Sequence, residues 1–91
     1  MGRGKLTEAG TALRLTVGNN VKIARERAGL SQRELCKITG ISQPYLSQVE
    51  NGTWNMALDN IANISAALGL AAHELLDPHF SSRPVGESSP T

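Results

Sequence analysis

An all-α fold of five helices is predicted by three features of this 91-residue sequence. Apolar residues recur at helical spacing from about residue 13 to residue 76, and no alternating strand pattern interrupts them. Serine caps and glycine stops divide that stretch into short segments. Third, the chain holds three aromatics, Tyr45, Trp54 and Phe80, which leaves little of the bulky side-chain content that strands favour.

The first helix is predicted from about Leu13 to Ala28. At 100° per residue, Leu13, Val17, Val21, Ala24 and Ala28 fall in one narrow arc, the stripe of a half-buried helix. Gly29 ends it. The second opens at Ser31, where Ser31-Gln32-Arg33-Glu34 has the capping-box pattern, and runs to about Thr39 before Gly40. The third follows a second cap, Ser42, and tolerates Pro44 in its first turn because the missing N–H has no helical partner there. Asn51-Gly52 ends it. The fourth covers about Ala57 to Leu68, with Ala57, Ile61, Ile64 and Leu68 on its stripe. A short fifth, about Ala71 to Leu76, stops before Asp77-Pro78.

Composition bounds the rest. One cysteine, Cys36, excludes an intrachain disulfide, and no Cys/His group has metal-ligand spacing. Neither a membrane span nor a signal peptide can be read, so a soluble cytoplasmic protein is expected. The domain divides into a flexible arm at residues 1–11, a helical domain at 12–77 and a disordered tail at 78–91. The last eleven residues are mostly Ser, Pro, Gly and charged and cannot bury a core. Net charge is +1, but residues 1–40 carry eight Lys/Arg against three acids, while residues 41–91 carry one Arg against five. Such segregation suits a polyanionic partner, although solvated helix faces produce it as well. A chain this small buries only roughly 60% of its unfolded surface, so a partner subunit would add stability.

The second and third helices are joined by Gly40-Ile41-Ser42, a three-residue turn with a leading glycine, which matches a helix-turn-helix hairpin. Around the third helix, Gln43, Pro44, Ser47, Gln48 and Asn51 share one face, and Tyr45, Leu46, Val49 and Glu50 the other. The first face is uncharged and hydrogen-bonding. Glutamine pairs a donor with an acceptor, the complement of the N6 and N7 edge of adenine in the major groove. Cys36 reads as a small packed side chain between the two helices rather than a reactive thiol.

Residues 17 to 77 resemble the lambda-repressor-like, Cro/C1-type helix-turn-helix domain. The resemblance rests on Val17-Gly18, Arg25, Gly29-Leu30-Ser31-Gln32, Leu35, Gly40-Ile41-Ser42, Leu46-Ser47, Val49-Glu50-Asn51-Gly52, Ile61 and Ala67-Leu68-Gly69. From Asn55-Met56 to Leu70 it is most similar to the controller proteins of restriction–modification systems. It implies a DNA-binding transcriptional regulator that sits on a palindromic operator in double-stranded DNA as a homodimer. It further implies that Gln43, Pro44, Ser47 and Gln48 meet bases, and that Gln32, Ser42, Asn51 and Asn55 meet the DNA backbone. Gln32 would also buttress the reading helix, and Arg25 and Glu50 would form a structural ion pair. Three positions depart from the family pattern. Cys36 stands where alanine is common, the loop near Trp54 lacks the basic residue that controller-like relatives place there, and Pro44 stands where relatives have a hydrogen-bonding residue. Pro44 would offer apolar contact to a thymine methyl, and Trp54 would pack on the fourth helix or stack on a sugar.

The apolar Leu70, Leu75, Leu76 and Phe80 are expected to form the dimer surface, since a short terminal helix has little to bury them against. No cofactor and no catalysis are expected: His73 and His79 have no spacing that suggests a triad or metal site. A second reading is an antitoxin or other interaction component with DNA binding secondary; toxin and RNA polymerase contacts stay open at this level.

Overall fold

The computed structural model describes residues 8–53 and 55–82. Five α-helices follow in order: α1 Glu8–Arg27, α2 Gln32–Thr39, α3 Gln43–Glu50, α4 Leu58–Ala67 and α5 Ala72–Leu75, with a closing 3-10 turn at Phe80–Ser82. No strand occurs among the described residues. The all-α, five-helix class is the one read from the sequence. Trp54 lies outside the described residues, as do residues 1–7 of the expected arm and 83–91 of the expected tail.

Local chemistry starts and stops the two central helices. Ser31 Oγ accepts from Glu34 N–H at 3.0 Å, and Ser31 N–H donates to Glu34 Oε1 at 2.7 Å, closing the capping box. Those bonds to Ser31 pull the exposed Glu34 carboxyl below its ordinary range. Gly40 ends α2 at φ 78°, a conformation in which a Cβ would be strained, and its N–H bonds back to the Cys36 carbonyl. Ser42 Oγ then accepts from Tyr45 N–H at 3.3 Å and opens α3 with Pro44 in the first turn.

The core is Val17 and Val21 of α1, Leu35 of α2, Leu46 and Val49 of α3, Ile61 and Ile64 of α4, and Leu75. Helix α1 packs on α3, α5 and the 3-10 turn, while α4 lies under α2 and α5. The two short helices therefore rest on a frame made by the two outer ones.

α1 departs from expectation at both ends. It begins at Glu8, inside the segment expected to be a flexible arm, with an acidic side chain in its first turn to complement the helix dipole. Its buried residues are Val17, Gly18, Asn20, Val21, Ala24 and Arg25. Leu13 lies on the same arc yet is 49% exposed, because it sits a full turn before the packed segment. Ala28 is exposed since the chain turns away after Arg27.

Two contacts hold α1 in place. At Gly18 a Cβ would collide with the Val49 carbonyl oxygen and stand 3.1 Å from that of Glu50, so the helix lies directly on the α3 backbone. Asn20, 2% exposed, donates through Nδ2 to the carbonyls of Leu75 at 3.0 Å and Asp77 at 2.8 Å. A buried amide without partners would be costly; here it satisfies the end of α5.

The start of the expected tail is also ordered. The Asp77 carboxylate accepts from His79 N–H at 2.9 Å, and Phe80 folds back to 5% exposure beneath α1. Arg27 covers its ring at 5.5 Å and donates to the Ser81 carbonyl at 3.0 Å. Phe80 and Leu75, expected on a surface between two chains, are instead interior residues of the single chain, because the segment folds back on α1, held by Asn20 and covered by Arg27.

Substituting Gly18→Ala drives a methyl into the α3 backbone, which cannot move without shifting Leu46 and Val49. A loss of about 1–3 kcal/mol or more is expected in denaturant unfolding, against near-neutrality for alanine at exposed Asn19.

Candidate nucleic-acid interface

Helix α3 divides as its projection predicts. Leu46 and Val49 are buried at 1% and 3%, Tyr45 and Glu50 flank them, and Gln43, Pro44 and Gln48 are exposed, with Ser47 half-buried. The exposed face carries no charge. Gln43 follows the Ser42 cap at the N-terminal end of the helix, beside backbone N–H groups that favour anions. Since Ser42 Oγ accepts its capping bond, its O–H proton is left to donate outward.

A chain of polar side chains runs from the core edge to that face. Arg25 donates through Nε to Glu50 Oε2 at 2.7 Å and through Nη2 to Oε1 at 3.0 Å, a two-pronged pair. Its Nη1 donates to the Leu30 carbonyl at 2.8 Å, satisfying the turn after α1. The side chains are only 10% and 3% exposed. Hydrogen bonding to Glu50 raises the Arg25 pKa above its already high ordinary value and outweighs burial, which acts the other way. Gln32, at the first residue of α2, donates through Nε2 to Glu50 Oε1 at 3.0 Å. Gln43 Nε2 lies 3.4 Å from Gln32 Oε1. Arg25, Glu50, Gln32 and Gln43 therefore form one continuous polar line joining α1, α2 and α3.

Helix α4 braces the hairpin from behind. Asn63 Nδ2 donates to the Thr39 carbonyl at 3.0 Å, capping α2, and Asn60 Nδ2 donates to the Tyr45 hydroxyl at 3.1 Å on α3. Neither asparagine was read from the sequence. Their spacing of three, on a helix with few other polar side chains, was the available signal. Half-buried Cys36 packs against the core, and burial pushes its thiol pKa up, away from reactivity.

Not every predicted contact residue joins this face. Asn51 is exposed at the end of α3, whereas Asn55 lines an apolar hollow of about 150 Å³ together with Leu13, Met56 and Leu76. Leu76 is 38% exposed there, and Leu70 is half-buried against the core.

Two capped helices crossed over a three-residue turn, with one presenting an uncharged polar face, define a helix-turn-helix unit. Residues 21–75 match the helix-turn-helix family, and the chain belongs to it, in the Cro/C1-type branch. It is 44% identical over 66 residues to a hypothetical transcription factor of Neisseria meningitidis, covering 72% of this chain and 62% of that protein. It is 39% identical over 66 residues to the control protein C.BamHI of Bacillus amyloliquefaciens, covering 71% of this chain and 82% of the relative. Among solved structures, the Neisseria factor NHTF superposes with a TM-score of 0.73 at 38% identity, over 88% of this chain and 91% of that one. The restriction–modification controller C.AhdI of Aeromonas hydrophila gives 0.67 at 33% identity, over 70% of this chain and 97% of its own. The chain thus spans about three-fifths of the length of the Neisseria relative. These proteins are named as regulators and controllers rather than enzymes, in line with the expectation of no catalysis. No helix among the described residues is long and apolar enough to cross a membrane.

Removing Glu50 leaves the Arg25 guanidinium without its partner at the edge of the core. Glu50→Ala should cost about 3 kcal/mol and lower the melting temperature clearly. An unchanged melting curve would place both charges in solvent and refute the structural role.

Proposed function

We propose that this chain is a sequence-specific DNA-binding regulator of transcription that binds a palindromic operator as a homodimer, with α3 in the major groove. The observation that carries the reading is the exposed, uncharged face of α3, held rigid by the Ser42 cap, the Arg25–Glu50 pair and the α4 asparagines. Gln43 and Gln48 meet base edges with paired donors and acceptors, Pro44 gives an apolar contact, and Ser47 supports them. Gln32, Ser42 and Asn51 sit where phosphates pass, and the helix N-termini add N–H groups. The similarity to a transcription factor and to two controller proteins supports the class. A regulator of this kind works in the cytoplasm, where the DNA is.

The dimer surface is smaller than the sequence suggested, since Leu75 and Phe80 are interior. Leu76 remains, with half-buried Leu70, and the hollow it shares with Leu13 and Met56 extends the apolar surface. A two-fold contact there repeats one patch and sets two reading helices about 34 Å apart, one turn of DNA.

Gln43→Ala should weaken binding to the preferred duplex by about 1–3 kcal/mol with little change in melting temperature. Equal loss on preferred and random duplexes would reduce Gln43 to a general affinity contact. Sedimentation equilibrium at micromolar concentration should return a dimer mass, shifted toward monomer by Leu76→Glu. A monomer mass that a palindromic duplex does not change would overturn the dimer.

A further inference from the structure

We infer that the hollow between the first half of α1 and the end of α5 is a binding site for a small aromatic carboxylate, with the ring inside and the carboxylate on Arg14.

The lining is apolar and reaches the core. Leu13 and Val17, four apart and so on one side of α1, line the hollow together with Val49 of α3 and Ile61 of α4. Val17, Val49 and Ile61 are core residues, exposed by only 6%, 3% and 8%, so their positions are fixed by packing. Met56 and Leu76 complete the apolar part. The space is half-enclosed and measures about 150 Å³. Apolar cavities of roughly that volume take up a single benzene ring. Water inside gains few hydrogen bonds from such a lining and is displaced at little cost. A helix or an extended peptide is too large for it. The Met56 thioether favours the edge of an aromatic ring as a neighbour.

The polar groups of the lining are all of one kind. Arg14 and Asn55 both carry N–H donors, and no carboxylate lines the hollow among the described residues. Arg14 is half-buried, and its Nη2 donates to Thr11 Oγ1 at 3.1 Å, a bond within its own helix. A guanidinium has five N–H donors, so that bond leaves enough for a two-pronged contact with a carboxylate. Such a lining repels a cation and is completed by an anion with a flat apolar body.

The position gives occupancy a consequence. Val17 precedes Gly18, where α1 lies on the α3 backbone, and Val49 belongs to the buried face of α3. A bound ring ties these two helices together at their closest approach. Leu13, Met56 and Leu76 also border the two-fold contact proposed above, but the site does not depend on that contact. It is equally independent of the DNA-binding proposal, since its test uses no DNA.

Benzoate is the probe, titrated into the full chain at protein concentrations below and above assembly and followed by NMR. Saturable shifts at Leu13, Val17, Val49, Ile61 and Leu76 are expected at one or both, with a Kd on the order of 1 mM or tighter. The melting temperature should rise with benzoate, as for any ligand of the folded state. Benzyl alcohol, the same ring without the charge, should bind about threefold or more weakly, and benzylamine more weakly still. Arg14→Gln should reduce benzoate to the level of benzyl alcohol and leave benzyl alcohol unchanged. Leu13→Trp, at a position exposed enough to accept it, should fill the hollow and abolish both. The absence of saturable shifts at either protein concentration overturns the inference, as does benzoate binding that Arg14→Gln does not weaken. Shifts of the lining residues on dilution alone, with none on added benzoate, assign the hollow to a second copy. Binding that appears only in Trp54→Ala shows the chain filling its own hollow. Either result also overturns the inference.

Discussion

Helix α1 touches the backbone of α3 at Gly18, and the separation of the two helices is set by that contact. With any larger residue there, Arg25 would stand away from Glu50, and the pair that orders Gln32 would not close. Helix α3 is short, eight residues, and a helix of that length has little stability of its own in water. Its shape comes from what it lies on. One close approach of two backbones therefore governs the core packing of Leu46 and Val49 and the direction in which the polar face looks.

Affinity and selectivity come from different parts of such a surface. The exposed face of α3 carries no charge, so its contribution is directional hydrogen bonding and shape. The positive charge lies mainly in the first forty residues, where Lys and Arg outnumber acids, and charge of that kind attracts a phosphate backbone without regard to sequence. The one charged side chain of α3 is Glu50, and Arg25 neutralises it. Paired and nearly buried, that carboxylate is answered by Arg25 and by the Gln32 amide, so it leaves no free negative charge beside the polar face.

The sequence makes α2 and α3 readable almost residue by residue, because their limits are set by side chains within three positions of the ends: Ser31 with Glu34, Ser42 with Tyr45, and Gly40 in the left-handed region. The polar and apolar faces of α3 were readable for the same reason, as periodicity is local. The Arg25–Glu50 pair was not derivable from spacing, and it entered through the family resemblance. Features that depend on distant backbone escaped. Asn20 sits on the α1 stripe among valines, and only the Leu75 and Asp77 carbonyls explain it. Phe80 reads as surplus apolar surface because nothing local shows that the chain after Asp77 folds back onto α1. Arg27 then completes that cover from solvent.

The Asn20 amide gives the domain a property of timing. It joins residues 55 and 57 positions apart, so α1 is not anchored until the chain through Asp77 is available. Closing so long a loop is an entropic cost that the amide, the Phe80 ring and the core offset together rather than in stages. A ribosome that has released the helix-turn-helix but not Asp77 holds a chain whose longest helix lacks its far anchor. The segment around Asp77 is thus the clasp of the fold. A protease cut just before it would unfasten α1 and, through Gly18 and Arg25, loosen the seat of α3.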